Sequence, residues 1–170
     1  MSTAVGGISL RPETPADVVA VRALLQASFG RQAEAALVDR LRAEGSIALA
    51  LVADADGIAG YVAFPRIEIE TASGVTPALA LAPLAVAASH QGQGIGAMLV
   101  RAGLAELIRR REEIVFALGD PALYNQFGFA AEDARPFASP YVGPHFMARR
   151  LAAKAPRRGR LRYPAAFEAL

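Results

Sequence analysis

Apolar residues recur along the chain at two spacings, one typical of helices and one typical of strands. Four apolar residues between positions 18 and 25 fall on one helical face, and Thr14 before Pro15 supplies a helix-start signal. A second helix is predicted over residues 32–42 and a third from about Gly94 to Arg111. These are the three long helical segments, and a further short helix is predicted that Asp120 and Pro121 cap and Gly128 ends.

The strand-like segments are concentrated between the second and third helices. Residues 46–53 and 58–70 are joined by Asp-Ala-Asp-Gly, a sequence typical of a hairpin turn. Residues 77–86 form a further apolar strand, and because Pro83 cannot donate a ladder hydrogen bond, we expect a bulge there. Further short strands are predicted at 8–11, 113–118, 127–132 and 145–151. An antiparallel hairpin followed by strand, loop, helix and strand predicts an α/β fold with a mixed sheet flanked by helices.

Length and composition are those of a single globular domain. The chain has 170 residues, of which 54% are apolar and 20% charged. It contains no cysteine, which excludes disulfides and thiolate nucleophiles. The N-terminus has no signal-peptide pattern, and the longest apolar run, residues 77–88, is too short to span a bilayer. We expect a cytoplasmic protein with no membrane association.

Charge is concentrated near the C-terminus. Seven basic residues and no acidic residue lie between positions 149 and 162, so the rest of the chain carries net negative charge. A basic segment can bind nucleic acid, but no aromatic residue is interleaved with these arginines before Tyr163, and nucleic acid is therefore not favoured. We expect one domain over residues 1–154 and a basic extension over 155–170. The apolar residues of that extension predict that it docks on the domain or on a second copy of the chain, which leaves a homodimer open.

A glycine-rich loop follows the strand that contains Pro83. Residues 84–100 read LAVAASHQGQGIGAMLV, in which three glycines occur at every second position before a helix. A nucleoside-triphosphate loop requires a lysine, and Lys154 is far away in sequence. A dinucleotide site is the better alternative, because Gly92, Gly94 and Ala97 fit G-x-G-x-x-A and Asp120 follows the next strand. Four residues separate the strand from these glycines, however, and too few residues follow Asp120 to complete a doubly wound sheet.

Residues 91–96, QGQGIG, match the pattern Q/R-x-x-G-x-G/A. This sequence resembles the acyl-CoA-binding motif of the GNAT superfamily of N-acetyltransferases. LYNQFGF, residues 123–129, is similar to a second landmark of that family. The resemblance extends from Ile8 to about Leu151, and the segment LRYPAAF is similar to the ending of one bacterial subgroup of predicted acetyltransferases. It implies the GNAT fold, a mostly antiparallel central sheet splayed at a bulge and flanked by helices.

The resemblance also implies a donor and a set of site residues. The donor is acetyl-CoA, whose pantetheine arm pairs with the strand of the motif and whose pyrophosphate lies on the glycine loop. Glycines permit close approach, and the unpaired amides of a helix N-terminus attract phosphate. The implied cofactor-binding residues are Leu84, Ala85, Val86, Gln91, Gly92, Gln93, Gly94, Gly96 and Ala97. The resemblance implies that Tyr124 is the family's tyrosine that protonates the leaving sulfur. A phenol is protonated at neutral pH and can act as an acid.

The general base and the acceptor are less well defined. Glu68 and Glu70 alternate with isoleucines on one strand, so Glu68, Glu70 or water could accept the proton of the amine. His90 and His145 have no converging acids at metal-ligand spacing, and no metal site is predicted. We expect direct acetyl transfer to a primary amine of a small molecule, a peptide or a protein. A non-catalytic acyl-CoA-binding module is the alternative.

Overall fold

A single sheet built around one long strand forms the centre of the molecule. Within residues 2–169, which this computed structural model describes, ten strands belong to the sheet. The strands are β1 (Thr3–Val5), β2 (Ile8–Pro12), β3 (Ile47–Asp54), β4 (Ile58–Thr71), β5 (Gly74–Leu81), β6 (Leu84–Val86), β7 (Ile114–Leu118), β8 (Phe137–Ala138), β9 (Phe146–Arg150) and β10 (Gly159–Arg162). The α-helices are α1 (Val18–Phe29), α2 (Ala33–Ala43), α3 (Ile95–Arg109), α4 (Pro121–Tyr124) and α5 (Ala131–Ala134). Short 3-10 helices cover Pro15–Asp17, Ala88–His90, Asn125–Phe127 and Ala165–Ala169.

The sheet order is β1-β2-β3-β4-β5-β7-β9, and β4 is long enough to have different neighbours along its length. Its first half pairs with β3 and β6, and its second half pairs with β5 and β10. The β5–β7 and β8–β10 pairs are parallel, whereas the other pairs are antiparallel. The prediction of a mixed, mostly antiparallel sheet flanked by helices is confirmed.

Alternate residues of the sheet face two helical layers. Val62 and Phe64 pack with α3 on one face, whereas Tyr61 and Ala63 pack with α1 and α2 on the other. This is the arrangement that a period of two produces when both faces of a strand are buried.

Two of the predicted strands differ from the structure. Residues 77–86 form two strands, because β5 and β6 are separated at Ala82 and Pro83. The strand predicted over residues 127–132 is wrong: Gly128 adopts φ 81°, Ala130 makes an isolated bridge to Ala148, and α5 begins at Ala131. The apolar residues of that segment are buried by a turn and a short helix instead of by a strand ladder.

The C-terminal segment contributes to the sheet and to the core. In β10, Arg160–Arg162 pair with Glu70–Glu68 of β4, so β10 continues the line of β3 along that strand. Leu161 and Phe167 are buried in the core cluster on the α2 side. Leu170, the last residue of the predicted extension, lies outside the described residues. Among residues 2–169, no helix is both long enough and apolar enough to cross a membrane.

Candidate active site

A gap in the sheet separates β6 from β7. Both β5 and β6 pair with β4, but β5 also pairs with β7, whereas β6 pairs with β4 alone among the described strands. At the branch point the amide of Ala82 donates to the carbonyl of Ala63 (3.0 Å), and the amide of Ala63 donates to the carbonyl of Pro83 (3.2 Å). The strands therefore separate at Pro83, the position where the sequence predicts a bulge.

The free edge of β6 presents main-chain groups to this gap. The main-chain groups of Pro83 and Ala87 form hydrogen bonds with β4. The Pro83 carbonyl accepts from the Ala63 amide, and the Ala87 amide donates to the Ala59 carbonyl (2.8 Å). In an antiparallel ladder alternate residues point to opposite sides, so the amides and carbonyls of Leu84 and Val86 face the gap. An extended ligand with amide groups could add here in the manner of a strand.

The glycine loop lies at one end of the gap and leads into α3. Gly92 (φ 79°) and Gly94 (φ 80°, the N-cap of α3) have left-handed backbones that favour glycine. A Cβ added at either residue would meet no atom within 4 Å, so the space beside them is open. Within residues 2–169 no side chain caps α3, and the first amides of the helix are left unpaired in a positive field. This combination can bind a phosphate group.

The other predicted cofactor-binding residues have distinct positions. The side-chain amide of Gln91 donates to the Val86 carbonyl (3.3 Å), so it closes the loop against β6. Gln93 is exposed in the loop. A Cβ on Gly96 would lie 3.6 Å from Val86 Cγ2, an ordinary contact, so this glycine is not required for backbone conformation. Ala97 packs against the core of the α3 layer.

Tyr124 lies at the other end of the gap, at the C-terminal end of α4. Asp120 caps this short helix by accepting a hydrogen bond from the Ala122 amide (3.0 Å). The Tyr124 ring packs edge-on against Phe127 and Phe129, and burial raises the pKa of its phenol. Tyr124 is therefore protonated at neutral pH and can act as a proton donor.

A cavity of about 350 Å³ opens beside Tyr124 at the branch point of the sheet. Its floor is formed by the ends of β5 and β7 and by Pro83 and Leu84, and α1 and α2 contribute Phe29 and Glu34. Tyr141 and Tyr163 come from the C-terminal part of the chain. The cavity is at the lower end of the size range of small-molecule sites, and its lining is mostly apolar.

The structure does not bring the other candidate side chains to this cavity. Glu68 and Glu70 lie on the second half of β4, where Glu70 pairs with Arg162 (3.0 Å), and neither lines the cavity. His90 lies 2.9 Å from the hydroxyl of Ser89 in the loop before α3. The Nδ1 atom of His145 lies 3.1 Å from the carbonyl oxygen of Gly119.

Sequence reasoning missed two residues that shape the site. A Cβ on Gly119 would lie 2.5 Å from Cε2 of Tyr124, so the absence of a side chain at residue 119 makes room for the tyrosine ring. Glu34 belongs to α2, and the helical pattern gave no signal that its carboxylate would line the cavity. The role of Glu34 depends on contacts between segments that are distant in sequence, and that of Gly119 depends on the ring of Tyr124 packing back against it.

Comparison with known proteins gives a consistent result. The sequence model of a family described as "Acetyltransferase (GNAT) domain" matches residues 46–131. The chain is 42% identical over 122 residues to the uncharacterized N-acetyltransferase YhbS of Escherichia coli K12, covering 71% of this chain and 72% of that protein.

Two solved structures are similar over almost the full length. The crystal structure of the GNAT family protein YhbS from E. coli in complex with CoA has a TM-score of 0.87 and 34% identity, with 99% of this chain and 96% of that chain covered. A GNAT family acetyltransferase from Brucella melitensis in complex with acetyl-CoA has a TM-score of 0.79 and 31% identity, with 94% and 97% covered.

Proposed function

The chain belongs to the GNAT family of N-acetyltransferases, and on that premise we propose that it transfers the acetyl group of acetyl-CoA directly to a primary amine. The acyltransferase class follows from the family, whereas the donor, the acceptor and the roles of individual residues belong to the proposal. The acceptor is a small molecule or the amine of a peptide or protein.

The gap between β6 and β7 supports acetyl-CoA as the donor. Gly92 and Gly94, with the unpaired amides at the start of α3, fit a pyrophosphate. The main-chain groups of Leu84 and the amide of Val86 face the gap and fit the amides of a pantetheine arm, whereas the Val86 carbonyl already accepts from Gln91. The similar chains from E. coli and B. melitensis carry CoA and acetyl-CoA in their crystal structures. The remaining residues proposed for cofactor binding are Ala85, Gln91, Gln93, Gly96 and Ala97.

Tyr124 is the proposed proton donor to the sulfur. When bound, acetyl-CoA supplies an activated thioester, from which the amine nitrogen takes the acetyl group as the carbon–sulfur bond breaks. The sulfur then requires a proton, which the phenol of Tyr124 gives up. The amine loses a proton to a base, and a proton from solvent restores the phenol. Because neither Glu68 nor Glu70 lines the cavity, water is the base we favour of the three considered.

One observation carries the proposal: the gap joins an open helix N-terminus at one end to a cavity lined by a buried phenol at the other. A non-catalytic acyl-CoA-binding module would need the first feature but not the second. A dinucleotide-binding protein would need a doubly wound parallel sheet, whereas this sheet is mostly antiparallel.

Replacement of Tyr124 by phenylalanine tests the proposal. Tyr124→Phe keeps the ring and removes the acid, so we expect acetyl-CoA binding to persist while amine-dependent release of CoA falls by about 10²-fold or more. Tyr61→Phe is the matched control, because Tyr61 is buried in β4 outside the cavity. Unchanged turnover in Tyr124→Phe would remove this residue from the mechanism. Acetyl-CoA binding without turnover on any amine would favour the binding module.

A further inference from the structure

The cavity beside Tyr124 combines an aromatic wall with a carboxylate, and from this we infer the chemical class of the acceptor. We propose that the acceptor is a small amine with an apolar, preferably aromatic, body, and that its protonated nitrogen binds Glu34. This inference rests on the proposed function, because it assigns the second substrate of the same reaction.

Glu34 is a buried carboxylate held in a fixed position. Its side chain is only 9% exposed, and Arg31, which is 65% exposed, donates to both oxygens at 2.8 and 2.6 Å. Each carboxylate oxygen accepts one of these bonds and keeps a further lone pair. The arginine thus orients the carboxylate from the solvent side and leaves acceptor capacity for a second cation.

The wall of the cavity is aromatic. Tyr163 packs edge-on against Tyr141 with ring centroids 5.1 Å apart and lies 5.2 Å from the ring of Phe167. Phe29 lines the cavity from the end of α1. Burial raises the pKa of Tyr163 to about 12, so this phenol is neutral and contributes no negative charge. Aromatic faces attract cations and also cover apolar groups.

Charge and size then restrict the acceptor. Among the described residues that line the cavity, Glu34 is the single charged one; Arg31 already pairs with it, so an ammonium finds hydrogen-bond acceptors there, whereas an anion finds no cationic partner. An alkyl ammonium has a pKa near 10 and is charged at neutral pH. A cavity of about 350 Å³ accepts a compact amine, and its apolar wall gives the additional charges of a polyamine no partner.

The position of Glu34 is compatible with the reaction. Tyr124 lines the same cavity, so an amine bound at Glu34 lies in a space that the proposed proton donor also borders. We assign Glu34 a role in binding and selecting the amine. The bound ammonium passes one proton to water before the reaction, because only the neutral amine has the lone pair that attacks the thioester.

Binding to the wild-type chain gives the first test. With CoA present at saturation in place of acetyl-CoA, so that no transfer occurs, calorimetry would compare 2-phenylethylamine, the neutral isostere 2-phenylethanol, and spermidine. We expect 2-phenylethylamine to bind at least tenfold more tightly than either of the others. Equal binding of the amine and the alcohol, or preference for spermidine, would overturn the inference.

Substitution of Glu34 gives the second test. We expect Glu34→Gln to raise the KM for 2-phenylethylamine by about 10- to 100-fold, the scale of a hydrogen bond to a charged group, and to leave acetyl-CoA binding unchanged. Glu44→Gln is the matched control, because Glu44 is an exposed glutamate at the end of the same helix. An unchanged KM in Glu34→Gln would overturn the assignment, and the wild-type comparison remains decisive if that variant does not fold.

The two proposals fail in different ways. If acetyl-CoA does not bind to the wild-type chain, the proposed function is wrong. If acetyl-CoA binds and is consumed with other amines while 2-phenylethylamine is neither bound nor acetylated, the proposed function stands and the inference about the acceptor is wrong.

Discussion

Asp17 shows how a single residue stabilises the start of the fold. Its carboxylate accepts hydrogen bonds from Arg11 at 2.7 and 2.9 Å and from the Thr14 amide at 2.8 Å, and its side chain is 9% exposed. These interactions, with Arg11 the largest, hold the pKa of Asp17 well below its usual range. The carboxylate therefore joins β2 to the turn that begins α1.

Asp17→Asn should lower the free energy of unfolding at pH 7 by about 1.5–3 kcal/mol, because hydrogen bonds to a charged group are lost. A carboxyl group whose pKa is depressed by folding stabilises above its unfolded pKa of about 3.9 and loses this contribution as the pH falls through its folded pKa. The difference between wild type and variant should therefore shrink below about pH 4. Urea unfolding from pH 7 to pH 2.5 measures it.

Asp56→Asn is the control for this experiment, since Asp56 is exposed and should show little effect. A deficit in Asp17→Asn that does not change between pH 7 and pH 2.5 would mean that the charge of Asp17 is not the stabilising feature.

At this scale the sequence predicted residues whose local motif carries the information. Tyr124, Gly92 and Gly94 stand in short patterns with a recognisable spacing. Gly119 and Glu34 do not stand in such patterns. Gly119 matters because the Tyr124 ring packs against it in the folded chain, and Glu34 matters because it lines the cavity.

At the scale of elements, α3 contains two glycines with opposite packing environments. A Cβ on Gly103 would collide with the buried ring of Phe64, whereas a Cβ on Gly96 would make only an ordinary contact with Val86. Alanine in a helix is favoured over glycine by about 1 kcal/mol, but overpacking a core costs about 1–3 kcal/mol.

We therefore expect Gly103→Ala to destabilise the chain and Gly96→Ala to leave stability unchanged or slightly higher. Thermal and urea unfolding without acetyl-CoA measure both variants, which share one helix and one chemical change. If both variants were equally stabilised, the close packing of Gly103 in α3 against Phe64 in β4 would be contradicted.

Elements were predictable where the signal is local. The long strand β4 and the three main helices follow from periodicity, and the turn before β4 follows from Asp-Ala-Asp-Gly. Pro83 indicated a bulge, but the sequence did not predict that β5 and β6 separate. The separation depends on β4 pairing with both strands while β7 pairs with β5 alone of the two. The segment at 127–132 has the composition of a strand but no partner ladder, and its sequence could not reveal this.

At the scale of the whole molecule, the basic C-terminal segment links the sheet to the cavity. We propose that the predicted extension, described over residues 155–169, is a docked part of the domain over residues 1–154, with β10 as its anchor. Leu161 and Phe167 are buried, whereas the Arg162–Glu70 pair is largely exposed. Burial of apolar side chains should therefore contribute more than charge, because exposed ion pairs contribute only about 0–1 kcal/mol.

Phe167→Ala should lower the free energy of unfolding by about 3–5 kcal/mol, the usual cost of removing a buried aromatic ring. Arg162→Gln should lower it by less than about 1 kcal/mol, and 0.5 M NaCl should change wild-type stability little. Equilibrium urea unfolding separates these effects. If Arg162→Gln lowered the free energy of unfolding more than Phe167→Ala does, charge and not apolar burial would be the main contribution to docking.

The charge pattern alone could not have located this segment. Seven basic residues suggest a solvated extension or a nucleic-acid contact, and the apolar residues between and after them indicate only that something is buried. The binding partner of this segment is the second half of β4. That half can pair with β10 because β3 pairs only with the first half of β4.

The most direct test of the central claim is calorimetric titration. The wild-type chain is titrated with acetyl-CoA and with NAD, and the Gly94→Val variant is titrated with acetyl-CoA. We predict that acetyl-CoA binds, that NAD does not, and that Gly94→Val weakens acetyl-CoA binding at least tenfold, because a side chain there blocks approach to the start of α3. Gly45→Val is the matched control, since Gly45 has a similar left-handed backbone (φ 69°) in an open position away from the loop. Binding of NAD in place of acetyl-CoA, or an unchanged affinity for acetyl-CoA in Gly94→Val, would contradict the account.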